Sequence, residues 1–418
     1  MSQESRVKKY VFFTCGVFGI GGGQRYVSNK AEYLRNKGYN VSTISAFLLS
    51  RQSKLFYNGL HQCQNYVVTE LRFHPDSYSS KKRDRIIQQV VKLVDDRTAN
   101  EIIIESNNLV SAVWAERIAA QINAKHIVFS VSEHNVVDNY MRDFLEFKFK
   151  RGELATITTK SFCEVIEKSQ IITEENLPIL RAYLGDPVED VEDERLQSFE
   201  KSEYNLCIIG RGEKRYVRYA CEEVVQFCKK YRDKTFSVAL VSEFLDDKLK
   251  TKIQALFASA ENIRLYHWGY FMPFPRDLFE KFDLYIGGAG CASLPYRQNV
   301  LTLAMDLYND RVLGIMGYDG CTSSRGSSEN LSTAEYLEDV LFQKRYLIKT
   351  YTPPVRTTMD QAFASHDALL ENSSKEKRYC SAVNHDVSIK ERIKTAFPFL
   401  VTIRNILSKK ARRRINGK

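Results

Sequence analysis

The sequence predicts an α/β protein of two doubly wound domains. Three observations predict it: strand patterns alternate with helical ones, several strands are apolar on both faces, and the alternation stops and restarts near the middle. Strands that bury both faces belong to parallel sheets with helices on either side. A chain of 418 residues also exceeds one ordinary core and fits two domains of about 200 residues each.

In the first half, "YVFF", "NVSTIS", "QNYVVTELRF", "NEIIIES", "KHIVFSVSEH" and "ATITTKS" read as strands, with helical spacing at 82–94 and 109–122 between them. The acidic stretch "DPVEDVEDERLQSFE" is poor in apolar residues and reads as a solvated linker. The pattern restarts with "NLCIIG", "TFSVALVS", "NIRLYHWG" and "FDLYIGGAG" as strands, and with a helix at 217–231. The expected boundaries are 1–190 for the first domain, 191–203 for the linker, 204–375 for the second domain and 376–418 for C-terminal helices with a basic tail.

Nine cysteines without a CxxC pair predict reduced thiols in a cytoplasm, not a disulfide framework or a zinc site. Neither a cleavable signal pattern nor an apolar run of membrane-spanning length is legible. The net charge of +10 is concentrated at the end, since every charged residue after Glu391 is basic. Phe399, Leu400, Ile403, Ile406 and Leu407 recur at helical spacing just before "KKARRR", the composition of a helix lying on an anionic membrane surface. A solvated basic end is the plainer reading of the same residues. Nucleic-acid binding is not expected, because no aromatic stacking platform accompanies the charge.

A glycine run, Gly19 and Gly21 to Gly23, joins the first strand to a helix whose Val27, Ala31 and Leu34 share one face. Backbone without Cβ admits a ligand closely, and the first N–H groups of a helix have no internal partners, so an anion or a polar sugar fits there. A dinucleotide loop would place a further glycine where this chain has Gln24, and an acidic residue where the second strand ends in Ser45. A tight turn with no ligand is the other reading. Three more loops follow apolar strands: "SEHN" with Glu133 and His134, "GRGEKR" with Arg211, Lys214 and Arg215, and "GGAGCASLPYR" with Gly288, Ala289, Gly290, Cys291, Ala292 and Ser293.

These motifs carry a resemblance. "GGGQRYVSNKAEYLRNKGYNV" resembles the "GGxxR…LaxxLxxxGyxV" start of the family 4 glycosyltransferases of GT-B architecture, which build bacterial surface polysaccharides and glycolipids. "SEHN" resembles the histidine at the end of a first-domain strand in that family, and "IIGRGEKR" resembles its "vGR…K" element. "NIRLYHWGY" and "LFEKFDLYIGGAG" resemble the strands leading to its donor site. Order and spacing, over roughly residues 8–340, carry the weight.

The resemblance implies two Rossmann-like domains facing a central cleft, followed by the basic amphipathic C-terminal helix. It implies a peripheral, cytoplasmic, hexosyltransferase-type enzyme at the inner membrane face. Such an enzyme moves a sugar from a nucleotide-sugar to a lipid-linked or growing polysaccharide acceptor of capsule or lipopolysaccharide type, with residues 397–418 on the anionic membrane surface. His134, Arg211 and Lys214 are the expected catalytic residues. Gly22, Gly23, Arg215, Gly288, Ala289, Gly290, Cys291, Ala292 and Ser293 are expected at the donor, and Gln24, Arg25 and Glu133 on the acceptor side. Physical chemistry agrees, because charge develops on the β-phosphate as the glycosidic bond breaks and fixed cations with a helix N-terminus stabilise it. Neighbours on an extended segment point to opposite sides, so one of Glu133 and His134 is expected to face the ligand, and His134 is the one favoured.

No metal or other cofactor is implied, since no paired carboxylates stand in a suitable loop. The sequence departs from the family in one respect: two glutamates eight positions apart are expected after the fourth strand of the second domain, and 287–305 contains no acidic residue. The glycines of "RVLGIMGYDG", 314, 317 and 320, are the expected replacement for that loop. Two other functions fit the same sequence: a nucleotide-sugar epimerase of the same architecture, and a catalytically silent binding or scaffold protein.

Overall fold

Strand β1 (Lys8–Thr14) buries alternate side chains in two different cores. Val11 and Phe13 enter one, Tyr10 and Phe12 the other, as the two-residue period of a strand requires. The computed structural model describes residues 8–14, 16–19, 21–46, 57–96, 99–131, 139–185, 187–244, 246–307, 309–329, 331–348 and 358–373. The chain divides into two compact units, Met1–Gly185 with Thr357–Lys418, and Asp186–Arg356.

The first unit continues through α1 (Gly22–Asn36), β2 (Tyr39–Ser45), α2 (Asn58–His61), β3 (Gln64–Val67), α3 (Ser80–Val94) and β4 (Glu101–Ser106). It then runs through α4 (Leu109–Gln121), β5 (Lys125–Ser130), α5 (Asn139–Lys150), β6 (Leu154–Thr156) and α6 (Cys163–Lys168). The strands form a parallel sheet in the order β3-β2-β1-β4-β5-β6, which is the doubly wound order. Helix α3 covers one face with Ile86, Ile87, Val90 and Val94, aided by Trp114 of α4. Each such side chain contributes roughly 2 kcal/mol of burial. Helix α1 covers the other face with Tyr26, Val27, Ala31 and Leu34.

The second unit comprises β7 (Val188–Glu189), α7 (Glu194–Gln197), β8 (Tyr204–Ile209), α8 (Arg215–Lys230), β9 (Phe236–Val241), α9 (Asp247–Ala258) and β10 (Ile263–His267). It ends with β11 (Phe274–Pro275), β12 (Leu284–Gly288), α10 (Gly290–Arg297), β13 (Thr302–Met305), β14 (Val312–Ile315) and α11 (Thr333–Leu341). Its main sheet runs β10-β9-β8-β12-β13-β14, parallel except for β14.

Three expectations are corrected here. The segment expected as a solvated linker is folded: Val188 pairs with Phe274, Leu196 is buried, and the Phe199 ring packs on Tyr266, Trp268 and Phe282. Its few apolar residues suffice because the acidic ones between them face outward, and Asp193 caps α7. The helix α12 (Met359–Asn372), expected in the second domain, belongs to the first unit. Ala362, Phe363, His366 and Leu369 form its buried stripe, and Phe363 and Leu369 join the α1 core.

The third correction concerns the glycines after β13. Strand β14 runs antiparallel to β13, with Met305 opposite Val312 and Leu303 opposite Ile315. Gly314 therefore lies within the hairpin, while Gly317 and Gly320 lie beyond the end of β14 that sits beside the start of β13. That is the edge opposite the carboxyl ends of the parallel strands, so these glycines do not replace a donor loop. The expected C-terminal basic helix, 397–418, lies outside the described residues.

Candidate functional site

In each doubly wound sheet the strand order reverses between two strands, and the loops after them meet at the carboxyl edge. In the second unit those strands are β8 and β12, and their loops are the two that the sequence singled out. After β8 the chain is strung along the next strand's continuation: Gly210 N–H donates to the Val241 carbonyl at 3.1 Å and Gly212 N–H to the Glu243 carbonyl at 3.0 Å. Lys214 N–H closes the turn on the Arg211 carbonyl at 2.9 Å, and α8 begins. The N-cap, Lys214, offers no side-chain acceptor, and no acidic residue lies in the first turn. The opening N–H groups of α8 are thus left for a ligand or water.

The loop after β12 is held by close packing. A Cβ on Gly287 would lie 2.9 Å from the backbone carbonyl carbon of Cys291, so the first turn of α10 rides directly on the strand. Ala289, with φ of 48°, makes the turn into α10. Its carbonyl accepts from the N–H of Ala292 and Ser293 and from the Ser293 hydroxyl at 3.2 Å. No side chain caps α10, and its first turn is also free of acid.

Arg211 and Lys214 stand near enough to this second loop for their charge to act on Cys291. Burial pushes the Cys291 thiol up, while a hydrogen bond from Tyr216 and the positive charges of Arg211 and Lys214 pull it down. Two uncapped helix starts and two cations therefore share one patch of the carboxyl edge.

The other residues expected at the donor are placed differently. Arg215 is committed to Asp310, with Nε 2.6 Å from Oδ1, and this pairing holds the Asp310 carboxyl below its usual range. Ala292 is fully buried beside Ala304 and Leu313, so its side chain packs and touches no ligand. The Ser293 hydroxyl proton is spent inside the helix.

Sequence reasoning missed the acids of this edge. Arg211 pairs with Glu213 at 3.3 Å. Glu243, half-buried just after β9, has its carboxyl pushed up by burial and by the negative charge of Glu213. The next residue, Phe244, puts its ring 2.4 Å from where a Gly212 Cβ would be and packs edge-on against His267, with centroids 5.5 Å apart. The signal was present in "ALVSEF", where an acid and an aromatic ring directly follow a buried strand.

In the first unit, α1 starts at Gly22, after Gly21 in extended backbone. Space around Gly22 is open, Gly23 faces Val131, and a Cβ on Gly21 would lie 2.5 Å from the Gln24 side-chain oxygen. Gln24 thus folds back over the glycine run, and the Arg25 guanidinium lies close to Gly185. Val131 leads into 132–138, so Glu133 and His134 lie outside the described residues.

Beneath the glycine run is a buried polar network. Glu105 accepts from Lys30 at 2.5 Å, Tyr10 at 2.6 Å, Tyr26 at 2.8 Å and Asn107 at 2.9 Å. His366 of α12 accepts from Lys30 at 3.2 Å and donates to the Arg181 carbonyl at 3.3 Å. Burial, then the Lys30 charge, lowers His366 to about 3, so it is neutral at pH 7. A second network lines up Ser106, His126 and Glu116, with Oγ to Nε2 at 3.0 Å and Nδ1 to Oε2 at 2.6 Å. Lys148 pairs with both Glu116 and Glu153, and Arg151 supplies the second positive charge at Glu153. Ser106 and His126 are 0% exposed and Glu116 is 1% exposed, so the alignment is a core network rather than a nucleophile open to substrate.

No family model matches the chain, and no curated relative does. Solved structures are similar to it. A glycosyltransferase from Rickettsia africae aligns with TM-score 0.54 and 12% identity, covering 89% of this chain and 95% of that one. HepE from Anabaena, in complex with UDP and glucose, aligns with TM-score 0.52 and 12% identity, covering 87% and 94%. A UDP-GlcNAc 2-epimerase from Neisseria meningitidis, bound to UDP-GlcNAc, aligns with TM-score 0.48 and 12% identity, covering 87% and 100%. The first two share with this chain a pair of Rossmann-like parallel sheets, the GT-B fold.

Proposed function

We propose that this chain is a glycosyltransferase that takes a sugar from a nucleotide-sugar and places it on a lipid-linked or growing cell-surface polysaccharide. One observation carries the reading: β8 and β12 are neighbours at the switch point of the second sheet, so the uncapped starts of α8 and α10 lie at one place on its edge, with Arg211 and Lys214 on the loop that opens α8. That arrangement suits a diphosphate, which presents several anionic oxygens and gains charge as it leaves. HepE, similar in fold, is described in complex with UDP and glucose.

In the transfer, the bond between the anomeric carbon and the β-phosphate oxygen breaks, and its electron pair stays on that oxygen. Arg211 and Lys214 stabilise the charge formed there. The acceptor hydroxyl oxygen forms the new bond to the anomeric carbon and loses its proton. His134, the residue of this pair expected from the sequence to face the ligand, is the proposed group for orienting the sugar and receiving that proton, with Glu133 as the alternative base. The run from Gly19 to Gly23 forms the proposed lip, close to the donor phosphate or the incoming acceptor, with Gln24 and Arg25 on the acceptor side. Among the described residues no helix is long and apolar enough to cross a membrane; contact with the inner membrane face is assigned to the basic stretch 397–418.

The test is thermal stabilisation of the protein by UDP, GDP, ADP and CMP, repeated with Arg211→Ala. Stabilisation by one nucleotide that is lost in the variant supports the reading and names the donor class. No stabilisation by any of the four overturns it.

A further inference from the structure

Two loops that must act together on one diphosphate come from strands far apart in sequence, and something has to hold them in register. Tyr216, the second residue of α8, stands between them and is 3% exposed. A Cβ on Gly210 would lie 2.2 Å from its hydroxyl oxygen, and one on Gly288 would lie 3.0 Å from its ring. The ring therefore fills the space that side chains at both glycines would take. Its hydroxyl lies next to the thiol of Cys291, at the second position of α10.

We propose that Tyr216 is a positioning residue for the diphosphate, a strut that fixes the first turn of α8 against the first turn of α10 through the Cys291 thiol. The inference rests on the transferase reading above and deepens it. Gly210 and Gly288 are glycines because the strut occupies their side-chain space, which adds to the close backbone approach that a phosphate needs. With the strut in place, the free N–H groups of both helices and the cations Arg211 and Lys214 meet the ligand already oriented. Without it, each loop still exists, but ligand binding must order the pair.

Such a role predicts a selective loss. A contact that only supports the fold lowers the affinity for every nucleotide alike, whereas the strut acts where the second phosphate sits. The experiment measures the affinities of UDP, GDP and ADP, and of the matching monophosphates, for the wild type, Tyr216→Phe, Cys291→Ala and the double variant. Tyr216→Phe removes the hydroxyl and keeps the ring. The expected result is about a fivefold loss for the preferred diphosphate, the size of one lost hydrogen bond. The monophosphate is unchanged, and the melting point without ligand falls by no more than one lost hydrogen bond accounts for. Cys291→Ala gives the same loss, and the double variant loses no more than either single one.

Should Tyr216→Phe fail to fold, Cys291→Ala alone carries the test, because removing that thiol leaves the ring in place. An unchanged ratio of diphosphate to monophosphate affinity in the variants overturns the strut and leaves the transferase reading standing. Losses that add in the double variant overturn it as well. Absence of binding to the wild type overturns both readings.

Discussion

Acidification from pH 7 to pH 5 should destabilise the first unit by about 4 kcal/mol, through two buried histidines that must stay neutral. His366 is lowered to about 3, by burial first and then by the Lys30 charge, against an ordinary value of 6.5. His126 is lowered to about 4, by burial first and then by the Lys148 charge. In the unfolded chain both take a proton below pH 6.5; in the folded chain neither does until far lower. Their contribution is therefore fully present above pH 6.5 and drains away as the pH falls toward 4 and 3. Each unit of pH in that window removes about 1.4 kcal/mol per histidine, hence roughly 2 kcal/mol for each by pH 5. Glu105 does not titrate in this range: burial opposes its charge, but the Lys30 charge and the hydrogen bonds from Lys30 and Tyr10 hold its carboxyl below the usual value.

The chain has two tryptophans, and only Trp114 lies in the first unit, so a Trp268→Phe background gives a fluorescence signal for that unit alone. Urea denaturation of this background at pH 7, 6 and 5 reads the loss directly. His366→Gln keeps an acceptor for Lys30 and a donor for the Arg181 carbonyl but cannot titrate, and it should remove about half of the pH dependence. A midpoint that does not move between pH 7 and pH 5, or a slope that His366→Gln leaves unchanged, would refute the buried neutral histidines.

Arg211→Ala should abolish stabilisation by the nucleotide that the wild type prefers, as a thermal-shift comparison would show. Gly287→Ala should cost about 1–3 kcal/mol in chemical denaturation, because its Cβ would press on the Cys291 backbone, which has no side chain to turn aside; an unchanged midpoint contradicts the packing of α10 on β12. His134→Ala should lower turnover with an added acceptor while leaving donor affinity intact, and equal turnover removes His134 from the catalytic set. Deletion of 397–418 should release the protein from vesicles containing anionic lipid, and raised salt should do the same to the full chain; vesicle binding by the truncated protein places the membrane surface elsewhere.

Much of the site was legible because its parts are local. Glycines after a buried strand, followed by helical spacing, identify a carboxyl-edge loop, and both such loops of the second unit fall where expected. Less legible was how the charged residues there divide their duties. Arg211, Lys214 and Arg215 look equivalent in "GRGEKR", yet Arg215 is taken by Asp310, 95 positions away. Glu243 and Phe244 escaped notice because one acid and one ring after a strand form no motif until the turn at Gly212 is laid against them.

The sequence by itself determined the alternation of strands and helices, the two glycine-lined edges and the concentration of positive charge at the end, since each depends on periods of two to four residues or on composition. Tertiary structure decided where α12 belongs, that Gly317 and Gly320 lie at the far edge of their sheet, and that Tyr216 joins the two loops of the candidate site. Lys30 and His366 stand 336 positions apart and share one buried network with Glu105. The physical reason is range: periodicity fixes which face of an element is buried, while the partner that buries it is set by topology, once the whole chain has closed around its cores.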